Sequence, residues 1–189
     1  MTSRSWNGVC RSSVCPRLSY SLFARVYVLA VTRATARRYN LRTISDLRRV
    51  PDLTIAGFPE WEARWRGPIG RRYGVRGFDF VPLAGISAYQ LLDQGRVLVA
   101  DVFTTDPPLL GNKYVQLRDP KNMFGFQHVA LVVDRDLVRE NGARFTNTIN
   151  AVSRLLTIRA IQAMNKAVAV DQRPAARVAD AFLRANNLK

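Results

Sequence analysis

The residues best placed to do chemistry lie where an apolar run ends, in Ala100-Asp101-Val102-Phe103-Thr104-Thr105-Asp106-Pro107. A strand there runs into a polar turn and leaves an aromatic ring at its carboxyl end, the side of an open α/β sheet on which ligands sit. Two other segments repeat the combination of rings and charges after a strand-like run: Phe58-Pro59-Glu60-Trp61-Glu62-Ala63-Arg64-Trp65-Arg66-Gly67 and Asp119-Pro120-Lys121-Asn122-Met123-Phe124-Gly125-Phe126-Gln127. Taken singly, such a turn only reverses the chain. Converging, the segments would line one cleft with rings, hydroxyls and a few charges, which is the chemistry of non-covalent ligand binding. Covalent and metal chemistry has little to work with. His128 is the only imidazole, and Cys10 and Cys15 are the only thiols, which excludes an ordinary zinc site and leaves a nucleophilic triad without a base. Beside apolar Val129, His128 reads as structural. A disulfide between the two cysteines would close too small a loop to hold a fold.

The elements that must position these residues follow from the pattern. Val26 to Val31 is an apolar, β-rich run. Thr32 caps a short helix through Tyr39, and Ser45-Asp46-Leu47 caps another. Leu53 to Gly57 is a strand, followed by a helix that starts at Pro59-Glu60 with acids suited to its positive end. Phe78 to Pro82 is a strand, Ile86 to Gln94 a helix stopped by Gly95, and Val97 to Val102 a buried strand. Tyr114 to Leu117 and Val129 to Val133 continue the alternation. This predicts a βαβ lobe on a mostly parallel sheet over residues 27–128. Beyond Asp134 only helices remain: Arg135 to Asn141 ending at Gly142, Ala143 to Leu156, one capped by Thr157, and a last one opened by Pro174. Their apolar stripes read as core packing against a sheet, with Val129 to Val133 the one strand nearby. Residues 129–189 are therefore expected to be a return strand and the helices of an incomplete other lobe.

Length and composition set the class. The 189 residues are 48% hydrophobic, enough to bury a real core. The formal charge of +15, from 29 Lys and Arg against 14 Asp and Glu, raises nucleic acid or an anionic membrane as an alternative partner. Acids are interleaved with bases from Asp46 onward, as in Asp134-Arg135-Asp136, and no zinc spacing or RNA-binding aromatic signature is present. The expectation is no nucleic-acid partner. Residues 1–26 read differently: Arg4, Arg11, Arg17 and Arg25 without an acid, many serines, no period, and disorder expected. Arg25 interrupts the apolar run from Tyr20 to Val31, so no export signal is legible, and no segment is long enough to cross a membrane.

From about Tyr27 to the carboxyl end, a set of motifs in order resembles the substrate-binding proteins of osmoprotectant ABC transporters. They are Leu41-Arg42-Thr43-Ile44-Ser45-Asp46-Leu47, Glu60 to Gly67, Asp101 to Asp106, Asp119 to Phe124, Asn150-Ala151-Val152-Ser153, and Val178 to Leu183. The resemblance implies a type II periplasmic-binding-protein-like α/β fold in an amino-terminally truncated form. It also implies a quaternary ammonium ligand such as glycine betaine, choline or carnitine, a membrane permease as partner, an extracytoplasmic location, and neither catalysis nor a cofactor.

Such ligands explain the residue types. A trimethylammonium group has no N–H to donate, so ring faces hold it by cation–π attraction of roughly 0.5–2 kcal/mol each. By resemblance, Phe103 and Phe126 supply rings, and Arg64 grips the ligand carboxylate, with Glu60 one helical turn earlier orienting it. Phe103 and Phe126 read equally as core rings, and Glu60 with Arg64 as a solvated surface pair. Trp61 and Trp65 either shield the site or pack. Thr104 and Thr105 either bond ligand oxygen or the facing lobe, or shape the turn, for which Asp106 is the better cap.

Overall fold

The computed structural model describes residue 18 and residues 21–129 and 131–189. The strands are β1 (Tyr27–Thr32), β2 (Thr54–Gly57), β3 (Asp79–Pro82), β4 (Val99–Phe103) and β5 (Tyr114–Gln116). The helices are α1 (Arg33–Arg38), α2 (Pro59–Tyr73), α3 (Ala88–Asp93), α4 (Arg135–Leu155), α5 (Ile158–Ala169) and α6 (Ala175–Ala185), with short 3-10 turns at Ile44–Arg49 and Pro107–Leu110. Two caps lie where the sequence places them, whereas the turn expected to be capped at Ser45-Asp46-Leu47 starts two residues earlier, with Thr43 at its cap and Asp46 within its first turn. The Thr32 side chain accepts from Thr35 N, and Thr157 accepts from Ala160 N. α2 begins with Pro59 and two acids, and ends at Gly74 in the left-handed region that glycine tolerates.

The strands form one sheet in the order β3-β2-β4-β1-β5. β2 runs parallel to β3 and to β4, whereas β1 runs antiparallel to both β4 and β5. Four of the five strands, β2, β3, β4 and β5, therefore point the same way, as expected of a mostly parallel sheet, and β1 alone is reversed. Helices α2 and α3 connect β2, β3 and β4, and such crossovers return strands in the same direction; β1 enters from the crossing segment, residues 21–26, and is free to run the other way. Because side chains alternate along a strand, Leu29 and Val31 face the layer of α2 and the first 3-10 turn, while Val28 and Ala30 face α3. Ile55 and Val99 join the first layer, and Ala56, Ala100 and Val102 the second.

Among the described residues of the strand expected at Val129 to Val133, which are 129 and 131–133, no strand forms. Leu131 is 49% and Val132 96% exposed, and a strand without a neighbour cannot satisfy its backbone. What forms instead is a short antiparallel link between residues 21–25 and 127–129. Ser21 N donates to Val129 O (3.1 Å), Arg25 N donates to Gln127 O (3.1 Å), and Ala24 pairs with His128. His128 Nδ1 lies 3.2 Å from Ser21 O, consistent with a structural role. Residues 21–26, set aside from the sequence as disordered, are thus part of the fold, with Ser21 and Phe23 buried. Cys10 and Cys15 lie outside the described residues.

The helical tail follows the expected breaks. Gly142 interrupts α4 with φ 62° and ψ −156°. α5 packs on the Pro107–Leu110 turn and on α6, so α5 lies against the end of the sheet domain, with α6 on α5, and no second sheet is present among the described residues. No helix there is long and apolar enough to cross a membrane.

Candidate ligand-binding site

Strand alternation puts Asp101 and Phe103 on the face of β4 that looks toward α2. The register of the β1–β4 ladder sets Tyr27 opposite Phe103 and Leu29 opposite Asp101. The Tyr27 and Phe103 rings lie 4.8 Å apart by centroid. Tyr27 also meets Trp65 of α2 at 6.4 Å and Phe124 at 6.2 Å, and Trp65 meets Phe124 edge-on at 5.1 Å. Phe124 is held in place by its own loop. Its N–H donates to Asp119 Oδ2 (2.9 Å), while the Tyr73 hydroxyl donates to Asp119 Oδ1. Burial, then that bond to Asp119, pushes the Tyr73 hydroxyl up to about 12. The result is an aromatic cluster at the carboxyl end of β4, with Phe103 only partly covered.

Beside it lies an acid without a hydrogen-bond partner. Asp101 is 1% exposed, and neither of its carboxyl oxygens is hydrogen-bonded. Burial first, then the charge of Asp106, raises its pKa to about 8, with Glu60 adding to the rise. The Trp61 indole N–H lies near enough to favour the carboxylate without completing a bond. A carboxyl in this position is mostly protonated at neutral pH, and a cation placed next to it would favour its ionised form. Space for the group is left by Gly57, where a Cβ would stand 3.2 Å from the Asp101 Cβ. Asp101 borders a cleft of ≈480 Å³, together with Phe58, Tyr89, Phe103 and Asp106, over Ala88 and Val102. Asp106 caps the turn as expected: it accepts from Phe103 N (3.1 Å) and from the Tyr89 hydroxyl (3.1 Å). Burial raises its pKa against the opposing pull of those bonds and of Arg25.

The sequence-selected residues separate. Phe103 lies in the cluster and lines the cleft. Phe126 does not join it and is 80% exposed; Gly125, at φ 73°, turns the chain so that Phe124 goes inward in its place. Arg64 is exposed, with its guanidinium 5.1 Å from the Trp65 ring centroid, so it stands at the outer edge of the cluster. Glu60 forms no ion pair with Arg64; the i, i+4 pair on α2 is Glu62 with Arg66 (2.6 Å). Thr104 is committed to the chain itself. Its hydroxyl donates to Ala24 O (2.6 Å) and accepts from Val26 N (3.2 Å), and its carbonyl accepts from Gln162 Nε2 (2.7 Å). Thr105 is buried, and its carbonyl accepts from Asn165 Nδ2 (3.0 Å). Thr104 ties β4 to the crossing segment and to α5, and Thr105 ties it to α5 alone among the described residues. Trp61 is 1% exposed and stacks on Phe80, so it packs, whereas Trp65 belongs to the cluster.

Comparison with known proteins gives this arrangement a context. The sequence model described as the substrate binding domain of ABC-type glycine betaine transport systems matches residues 16–185. The chain belongs to that family. Among relatives of this glycine betaine transport family, a carnitine transport binding protein of Listeria monocytogenes is 25% identical over 169 residues, covering 87% of this chain and 54% of that protein. A glycine-betaine-binding protein of Pseudomonas aeruginosa is 29% identical over 185 residues, covering 88% and 58%. The chain therefore spans just over half the length of these relatives. A solved structure described as a glycine betaine/carnitine/choline ABC transporter superposes with a TM-score of 0.79 at 25% identity, over 90% of this chain and 64% of that one. Lactococcal OpuAC in complex with glycine betaine shares the fold, with a TM-score of 0.63 at 15% identity over 90% and 67%. The fold is thus the α/β fold of periplasmic binding proteins, as the motifs imply. Members of the family are transport binding proteins and not enzymes.

Tyr27, Phe124 and Asp101 were not singled out from the sequence. Tyr27 and Phe124 are ordinary members of apolar runs until the register and the Asp119 loop bring them to Phe103. Asp101 had a signal, as the one acid inside the buried run Val97 to Val102.

Proposed function

We propose that this chain acts as the solute-binding component of an ABC-type uptake system for quaternary ammonium osmoprotectants, the class that includes glycine betaine, choline and carnitine. The observation that carries the reading is Phe103, a half-buried ring at the rim of a cleft whose wall holds the unpartnered Asp101. A methylated ammonium gains from both: the ring supplies cation–π attraction, and Asp101, protonated in the free site, becomes a negative charge beside the bound cation, which favours its ionised form. Tyr27, Trp65 and Phe124 back the ring and fix its orientation. Arg64, beside Trp65, is the group available to a ligand carboxylate at the outer edge. In this reading the ligand favours a closed state that a membrane permease recognises on the extracytoplasmic side. The nucleic-acid alternative gains no support from the family.

Isothermal titration with choline, glycine betaine and carnitine tests the proposal. Binding of at least one, lost in Phe103→Ala and absent for uncharged tert-butyl analogues, is the expected result. Equal binding of the uncharged analogue, or no heat with any of the three, overturns it.

A further inference from the structure

The Phe103 ring already carries a cation over it. The Arg25 guanidinium carbon lies 3.5 Å from the centroid of the Phe103 ring, the distance of direct stacking. Arg25 projects from the crossing segment, whose backbone is fixed on both sides. Arg25 N donates to Gln127 O (3.1 Å), and the Thr104 hydroxyl bridges Ala24 O and Val26 N. The side chain is exposed and makes no salt bridge among the described residues. Asp106 feels its charge, but no ion pair joins the two. The ring itself is therefore the partner of this guanidinium. Guanidinium and methylated ammonium are both weakly hydrated cations drawn to a ring face, and one face accepts one of them at a time.

We infer that Arg25 is a built-in competitor, its guanidinium occupying the cation seat on Phe103 in the unliganded protein and leaving it when a quaternary ammonium ligand binds. The inference rests on the proposed function and adds a residue that sets its affinity and selectivity. Because Arg25 is tethered, it is present at the ring at high effective concentration, so only ligands that gain more than one ring contact displace it.

Calorimetric titration of choline into wild type, Arg25→Ala, Arg25→Met and Phe103→Ala tests this, with thermal unfolding to verify that each variant is folded. The expected result is binding tightened roughly 3- to 30-fold in Arg25→Ala and in Arg25→Met, the latter keeping the bulk while removing the charge. In parallel, the Arg25 δ-methylene protons should be shifted upfield by the Phe103 ring current in free protein and return toward unperturbed values on adding choline. Unchanged or weaker binding in both Arg25 variants, or an Arg25 resonance that choline does not move, overturns the competitor while leaving the binding site standing. Binding by Phe103→Ala equal to wild type, or no binding by any variant, removes the site reading and the competitor with it.

Discussion

Tyr27 and Phe103 face each other across the β1–β4 ladder with ring centroids 4.8 Å apart. A pair directly opposite in an antiparallel ladder stabilises the sheet where the rings touch. Here the same contact holds the ring that the proposed ligand needs, so stability and binding share a residue. Replacing Phe103 by Ala should lower stability by about 2 kcal/mol and weaken choline binding at least tenfold, whereas Phe103→Tyr should preserve both. Urea unfolding and calorimetry on the two variants measure the split. Equal binding in both variants would refute it.

Asp101 makes stability depend on pH in an unusual direction. Its folded-state pKa is raised to about 8, above the ordinary carboxylate value near 4 that applies on unfolding. Between those values the folded chain holds a proton that the unfolded chain has released, so stability falls as pH rises, by up to about 1.4 kcal/mol per unit, and levels off above about 8. Asp101→Asn should remove this slope. Unfolding free energies at pH 5 and pH 8 that differ equally in wild type and variant would count against the assignment.

The same group should couple binding to pH. A choline cation beside Asp101 favours the carboxylate, so affinity should rise with pH up to about 8, by at most about tenfold per unit. In Asp101→Asn the dependence should be flat and the affinity low. Titrations at pH 6, 7 and 8 decide it, and a wild-type affinity independent of pH would place Asp101 outside the ligand's reach.

Gly57 is chosen for space. A Cβ there would meet the Asp101 Cβ at 3.2 Å and, at 3.4 Å, both the Phe80 ring and the Trp61 Cβ. Two of these atoms are anchored directly to the backbone and cannot swing away. Gly57→Ala should cost about 1–3 kcal/mol and shift the near-ultraviolet signal of Trp61. A variant as stable as wild type would show that the strands separate more easily than this packing implies.

Thr104 ties the crossing segment to β4 through one hydroxyl that both donates and accepts. Thr104→Val keeps the shape and leaves Ala24 O and Val26 N short of a partner, at a cost of about 1–3 kcal/mol. Thr104→Ser should recover most of it. Hydrogen exchange should quicken at Val26 in the Val variant, while the amides of β2 stay protected. Uniform acceleration across the sheet would mean that the tie is not local.

What the sequence determined by itself was the punctuation and the class. Thr32, Thr157 and Pro174 mark helix starts and Gly142 a break because capping and backbone freedom are local properties, settled within a few residues. The ordered motifs carried the family, and the apolar run from Val97 to Val102 announced a buried strand ending at Phe103. The tertiary structure decided which neighbours that strand has. The direction of β1, the pairing of Tyr27 with Phe103, the choice of Phe124 over Phe126, and the seat of Arg25 on the ring all depend on register between segments far apart in the chain. So does the fate of Leu131, Val132 and Val133, which carry a strand's composition but form no strand. Composition states what a segment can do, and long-range pairing selects which of those possibilities its backbone and side chains satisfy.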